Sequence, residues 1–162
     1  MDEKDYAGER GETVFRFLIG KKCDGRYWFS LRFLGEKAET KDFAVYLKDP
    51  ACGEATFFVQ VKATTLGYSG EGRHRKLRVN VSKEDVLKLK TVNGPAFIAG
   101  IDLHGEVGFM LPITKQTRNR RISGLPCRFP IDCRLITRLW KNVEQYWTER
   151  NMLANRSMLH EE

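Results

Sequence analysis

The sequence predicts an α/β sandwich with a mixed central sheet and flanking helices. Three observations lead there. A helical period near the N-terminus runs into three short strands in succession. Helix and strand then alternate, and a long amphipathic helix comes last. Residues from about Tyr6 to Gly20 carry an apolar face of Val14, Phe15, Phe17 and Leu18, with Gly20 at the helix end. Arg26 to Leu34 alternates as a strand does, through Tyr27, Phe29, Leu31 and Phe33. Asp42 to Leu47 is a second strand, stopped by Asp49-Pro50, and Thr56 to Ala63 is a third. A glycine-rich basic loop spans Thr64 to Lys76, and Leu77 to Val81 is a candidate fourth strand. Ser82-Lys83-Glu84-Asp85 reads as a capping box opening a short helix to about Lys90, broken by Asn93-Gly94-Pro95. Ala96 to Leu103 is a strongly apolar strand, and His104-Gly105 turns toward Val107 to Leu111. Beyond the basic segment Lys115 to Arg121, Pro130 and Asp132 introduce the last helix. Its stripe is Leu135, Ile136, Leu139, Trp140, Val143, Tyr146 and Trp147. A single domain over residues 1–150 is expected, with 151–162 as a frayed tail.

Of the 162 residues, 41% are hydrophobic and 30% charged, the balance of an ordinary globular domain. The formal net charge of +7 favours an acidic partner, nucleic acid first among them. No apolar run approaches membrane-spanning length, so no membrane association is expected. The start, Met1-Asp2-Glu3-Lys4-Asp5, is acidic and has no apolar stretch after it, which predicts no signal peptide and a cytoplasmic location. Cys23, Cys52, Cys127 and Cys133 form no C-x-x-C pair; free thiols, not a zinc site, are expected.

The run Phe57-Phe58-Val59-Gln60-Val61-Lys62-Ala63-Thr64 carries the sharpest chemical signal. Side chains on a strand alternate faces, so Gln60 and Lys62 share one side while Phe57, Val59 and Val61 fill the other. A Lys inside an apolar strand costs several kcal/mol unless it has a partner or a task; the alternative is a Lys at the strand's exposed end. Two basic stretches add to this. Arg73, Arg75 and Lys76 follow the motif strand, and Lys115, Arg118, Arg120 and Arg121 lie in a second loop. Phosphate contacts from such residues give salt-sensitive, sequence-independent binding; a solvated charged loop is the other reading. Trp28, Trp140 and Trp147 read as core. His74 and His104 lack the spacing of a metal cluster or a nucleophilic triad.

This order, with an acid near the second strand and a Lys on the third, resembles the PD-(D/E)XK superfamily, the restriction-endonuclease-like fold. Gln60-Val61-Lys62 matches the Q-x-K signature of small prokaryotic nuclease-like domains similar to the Mrr-type branch. Gly8-Glu9-Arg10-Gly11-Glu12 resembles their first helix, and Pro95 to Asp102 the apolar strand after the second helix. The resemblance covers roughly residues 6–112. It implies a restriction-endonuclease-like sandwich, hydrolysis of DNA dependent on Mg²⁺ or Mn²⁺, and a role in defence against foreign DNA. It also implies a metal site of Glu12, Asp42 and Gln60 with Lys62 as the catalytic cation. Mg²⁺ prefers oxygen ligands, which these three supply. Glu12 should approach the face on which Gln60 and Lys62 project.

One departure stands out. The family's second strand commonly reads D-x-G-[IV]-D, and here it is Asp42-Phe43-Ala44-Val45-Tyr46, with Tyr46 where the second Asp belongs. Asp42 lies ~13 Å along the strand from residue 46, at ~3.3 Å per residue. A catalytically degenerate module that binds nucleic acid or a protein partner is therefore the alternative, and a homodimer or other partner docked on the long last helix a third reading. Bland readings exist for single residues too. Glu12 can pair with Arg16 one turn on, Asp42 can be a solvated strand-start acid, and Gln60 can bond a neighbouring element.

Overall fold

The computed structural model describes residues 2–35 and 40–159. The chain forms α1 (Glu3–Ile19), β1 (Phe29–Phe33), β2 (Phe43–Leu47), β3 (Thr56–Thr64), β4 (Tyr68–Ser69) and β5 (Lys76–Val81). It continues with α2 (Lys83–Lys90), β6 (Ala96–Asp102), β7 (Val107–Ile113), β8 (Ile122–Pro126) and α3 (Cys133–Leu159). The result is a mixed α/β architecture. Five strands make the main sheet in the order β1-β2-β3-β6-β7, and β4, β5 and β8 make a second, three-stranded sheet. Within the main sheet only β3 and β6 run parallel.

Helix α1 packs on the face formed by the odd residues of β3. Val14, Phe15 and Ile19 join Phe57 and Val59, with Val61 and Ala63 against them, and α3 adds Ile136, Leu139 and Val143 to the same layer. The approach of α1 is close because Gly11 has no side chain: a Cβ there would stand 2.6 Å from Cβ of Ala63. The opposite face of the sheet, carried by Ile98 and its neighbours, is covered by α2 through Val86 and Leu89 and by the small sheet through Leu77 and Leu125. Gly100 allows that second contact. A Cβ at Gly100 would lie 2.6 Å from Cδ2 of Leu125.

Several expectations are corrected. Phe17 is 75% exposed; the buried face of α1 is instead Gly11, Val14, Phe15 and Ile19. The candidate fourth strand does form, as β5, and it belongs to the small sheet. Strand β8 follows the basic loop where Gly124 and Pro126 mask any strand pattern. Helix α3 runs through Leu159 where a frayed tail is expected from residue 151. Between 133 and 159 no Gly or Pro interrupts it. Cys23 and Cys133 form a disulfide between the segment after α1 and the start of α3, whereas Cys52 and Cys127 are free. Trp28, Trp140 and Trp147 do pack against the core. Among the described residues no helix is long and apolar enough to cross a membrane.

Candidate functional site

The register of β2 against β3 decides where the acid stands. Phe43 pairs with Val59 and Tyr46 with Thr56. Tyr46 is therefore at the far end of the pair, and Asp42, one residue before Phe43, comes level with Gln60. The expected departure at Tyr46 does not fall at the site at all. Asp42 is held there by its own backbone N–H, which donates to the Val59 carbonyl at 2.9 Å. Its carboxylate Oδ2 accepts from the Val61 N–H at 2.7 Å, a β3 donor just past the last β2 partner. Asp42 thus fills the gap where the two strands part.

Gln60 and Lys62 are corrected as to side. Val61 and Ala63 face α1, so Gln60 and Lys62 project to the other face, toward α2 and the small sheet, away from Glu12. Glu12 does not meet Lys62. It feels the Asp42 carboxylate, and burial together with that repulsion raises its pKa, with Arg16 pulling the other way.

On the Lys62 face the partner is Asp85, which the sequence pattern marks only as part of a helix cap. Ser82 Oγ accepts from the Asp85 N–H at 3.1 Å, which fixes the first turn of α2. The Asp85 carboxylate then turns inward. Its Oδ2 accepts from Gln60 Nε2 at 3.0 Å and lies 3.4 Å from Lys62 Nζ, while Oδ1 accepts from Thr40 Oγ1 at 3.4 Å. The available signal was the short acid at the third position of a capping box, which cannot reach back to the cap as Glu does.

Electrostatics follow from these contacts. Burial works against ionisation of Asp85, but the Gln60 hydrogen bond, the Lys62 ammonium and Thr40 outweigh it and hold its pKa below the usual value. Asp42 goes the other way: burial raises its pKa, the Val61 N–H and Lys62 pull it back, and Asp85 pushes it up again. Gln60 is 6% exposed, and its Oε1 is buried without a hydrogen-bond partner. Asp42 stands level with Gln60, whose neighbours on that face are Asp85 and Lys62, while Glu12 is coupled to this group through Asp42. Among the described residues no three His, Cys, Asp or Glu side chains stand close enough to hold a metal ion.

The raised Asp42 pKa predicts a stability effect. The folded protein binds the Asp42 proton more tightly than the unfolded chain does. Its contribution is therefore full below the ordinary value of 3.8 and lost as pH rises through the raised folded value. Asp42→Asn keeps an acceptor for the Val61 N–H and removes that loss. The variant should melt at or above the parent's temperature at pH 7, with the difference closing toward pH 4, as followed by circular dichroism. A variant melting below the parent at pH 7 contradicts the assignment.

The basic residues separate into two places. Arg73, Arg75 and Lys76 come together with Arg118, Arg120 and Arg121 along two adjoining depressions that share Lys76. Lys115 instead lines a different depression with Lys90 and Arg150. Lys90 fixes the loop between them, its Nζ donating to the Thr117 carbonyl and to Asn119 Oδ1, each at 2.6 Å. His74 lines the smaller basic depression, and nothing in its surroundings makes it catalytic. Comparisons of this chain with protein-family models, with curated proteins and with solved structures found no match.

Proposed function

We propose that this chain is a metal-dependent DNA endonuclease of the restriction-endonuclease-like type. The observation that carries the reading is the β2–β3 register, which brings Asp42 level with Gln60 and Lys62. In chain order α1 and the antiparallel meander β1-β2-β3 are followed by a crossover through β4, β5 and α2 to β6, which lies parallel to β3, and this supports the same reading.

The donor set fits Mg²⁺ or Mn²⁺. The buried Gln60 Oε1 has no hydrogen-bond partner, and Asp42 beside it is a partly buried carboxylate whose pKa burial raises. Asp42 and Gln60 would hold the ion, with Glu12 nearest to Asp42 on the α1 side. A bound divalent ion supplies charge neutralisation at the phosphate and an activated water. The chain's own residues do the rest. Asp85 takes the Gln60 amide N–H, which commits Oε1 to the opposite side of the amide. Asp85 also holds Lys62 Nζ on the site, where it can donate to a phosphate oxygen as negative charge grows there. Thr40 Oγ1, on the other carboxylate oxygen, limits rotation of Asp85.

One observation favours a second reading. Because no three carboxylate, His or Cys side chains converge among the described residues, a degenerate nuclease-fold module that only binds nucleic acid or a protein partner is the alternative. Defence against foreign DNA is the role the family resemblance implies; the Cys23–Cys133 disulfide weighs against the reducing cytoplasm expected from the N-terminal sequence. Incubating the parent, Asp42→Asn and Asp85→Asn with plasmid and with circular single-stranded DNA decides between the readings. The nuclease reading expects cutting by the parent in Mn²⁺ or Mg²⁺, none in EDTA, and none by Asp42→Asn. No cutting by the parent with either ion leaves the binding module.

A further inference from the structure

We infer that the groove beside β8 is a track for a single strand of nucleic acid with unpaired bases. The inference rests on the nucleic-acid part of the proposed function and not on catalysis. It begins from topology. Strand β8 runs antiparallel to β5, with Ile122 opposite Val81 and Lys76 opposite Pro126. Arg118, Arg120 and Arg121 precede β8, and Arg73 and Arg75 precede β5. The pairing therefore sets the two basic loops at opposite ends of one short ladder, ~13 Å apart at ~3.3 Å per residue. Two depressions, of about 510 Å³ and 240 Å³, join those ends and share Lys76, Leu111 and Pro126.

The walls and floor differ in chemistry. No carboxylate is among the described residues lining either depression, and Arg128, which carries no signal in the sequence, closes the smaller one. Lys76 sits at the junction. Its stem lies across Gly124, where a Cβ would come within 3.1 Å of Lys76 Cδ and where the backbone has φ of +86°. Only glycine adopts that conformation readily. The apolar part of the smaller depression's lining includes Pro112 and the half-buried Phe129 ring. Cationic walls hold phosphates without regard to sequence. An apolar, aromatic surface gives base faces a place to stack, and those faces are exposed in an unpaired strand but stacked inside a duplex. The Val81 end of the ladder leads directly into the Ser82 cap and the turn that holds Asp85, so a strand leaving the groove there heads toward the candidate site.

Fluorescence anisotropy in EDTA tests this, with labelled oligothymidylate about 16 nucleotides long and a duplex of the same length. The parent should bind the oligothymidylate at least about fivefold tighter than the duplex, a stacking-sized difference. Arg118→Ala/Arg120→Ala/Arg121→Ala should weaken it at least tenfold and reduce the slope of log affinity against log salt by about 2, near 0.7 per lost contact. Phe129→Leu should weaken the single strand and spare the duplex, while Lys115→Ala should change neither. Melting temperatures confirm that each variant is folded. Parent-like binding by the triple variant, a preference for duplex, or heparin displacing both probes from a site that does not tell them apart overturns the inference. Binding as expected without cleavage under the plasmid conditions sinks the catalytic reading alone. Cleavage with unchanged binding by the triple variant sinks the groove alone.

Discussion

Replacing Lys62 by Ala is expected to lower DNA cleavage by about a thousandfold while changing DNA affinity by no more than about twofold. The size follows from the role. A preorganised donor aimed at developing charge contributes on the order of 10²–10³ in rate, and Lys62 Nζ lies 3.4 Å from the site carboxylate of Asp85. Affinity is spared because one charge among the many along the β8 groove contributes little to phosphate binding. A second readout separates this from simple damage. With Lys62 gone, Asp85 keeps only Gln60 and Thr40, and its low pKa should move back up. Carboxylate NMR titration of Asp85 in parent and variant measures that. Lys62→Arg keeps the charge but cannot place a compact ammonium at the same point, so it should recover only part of the rate. Cleavage at the parental rate by Lys62→Ala removes Lys62 from the chemistry.

The parts of this fold that were legible in the sequence are those written in local patterns. The three-strand run, the cap at Ser82 and the apolar strand at Ala96–Asp102 each rest on residues within one element, and all appear where expected. The Gln60–Lys62 pair was legible for the same reason, since a period of two fixes their shared face. What was not legible depends on how elements meet. Asp42 and Tyr46 share a parity on β2, so the pattern alone cannot say which of them stands beside Gln60. The connection from Lys48 to Ala55 sets the register, and it chose Asp42. The side of the sheet taken by α1 was likewise open until Gly11 met Ala63, and that contact puts Glu12 and Lys62 on opposite faces. Asp85 enters the site only because α2 covers the second face with its N-terminal turn over Gln60. The Cys23–Cys133 bond joins residues 110 apart, beyond the reach of any spacing rule.

The second large effect concerns the layer on which the register depends. Phe57→Ala should destabilise the protein by about 3–5 kcal/mol, the usual range for truncating a buried Phe. Against a total of roughly 5–15 kcal/mol this is a large share, equivalent to a fall in melting temperature of roughly 6–20 °C for a domain of this size. The Phe57 side chain is fully buried. Its ring stands edge-on to Phe29 at 5.4 Å and to Phe97 at 5.4 Å, so one side chain ties β1 and β6 together across β3. It also pairs with Val45 of β2 three residues before Gln60 on β3. Phe33→Ala is the control. Phe33 is 46% exposed on β1 and touches Phe43 and Arg16 at the rim, so its loss should cost within about 1 kcal/mol. Chemical denaturation of both variants decides the point, and an equal or larger cost at Phe33 would contradict the difference in burial between the centre of that face and its rim. Below its melting transition Phe57→Ala should retain Mn²⁺-dependent cutting, because none of its atoms belongs to the site. Activity should then vanish with the folded fraction as temperature rises, several degrees before the parent loses it.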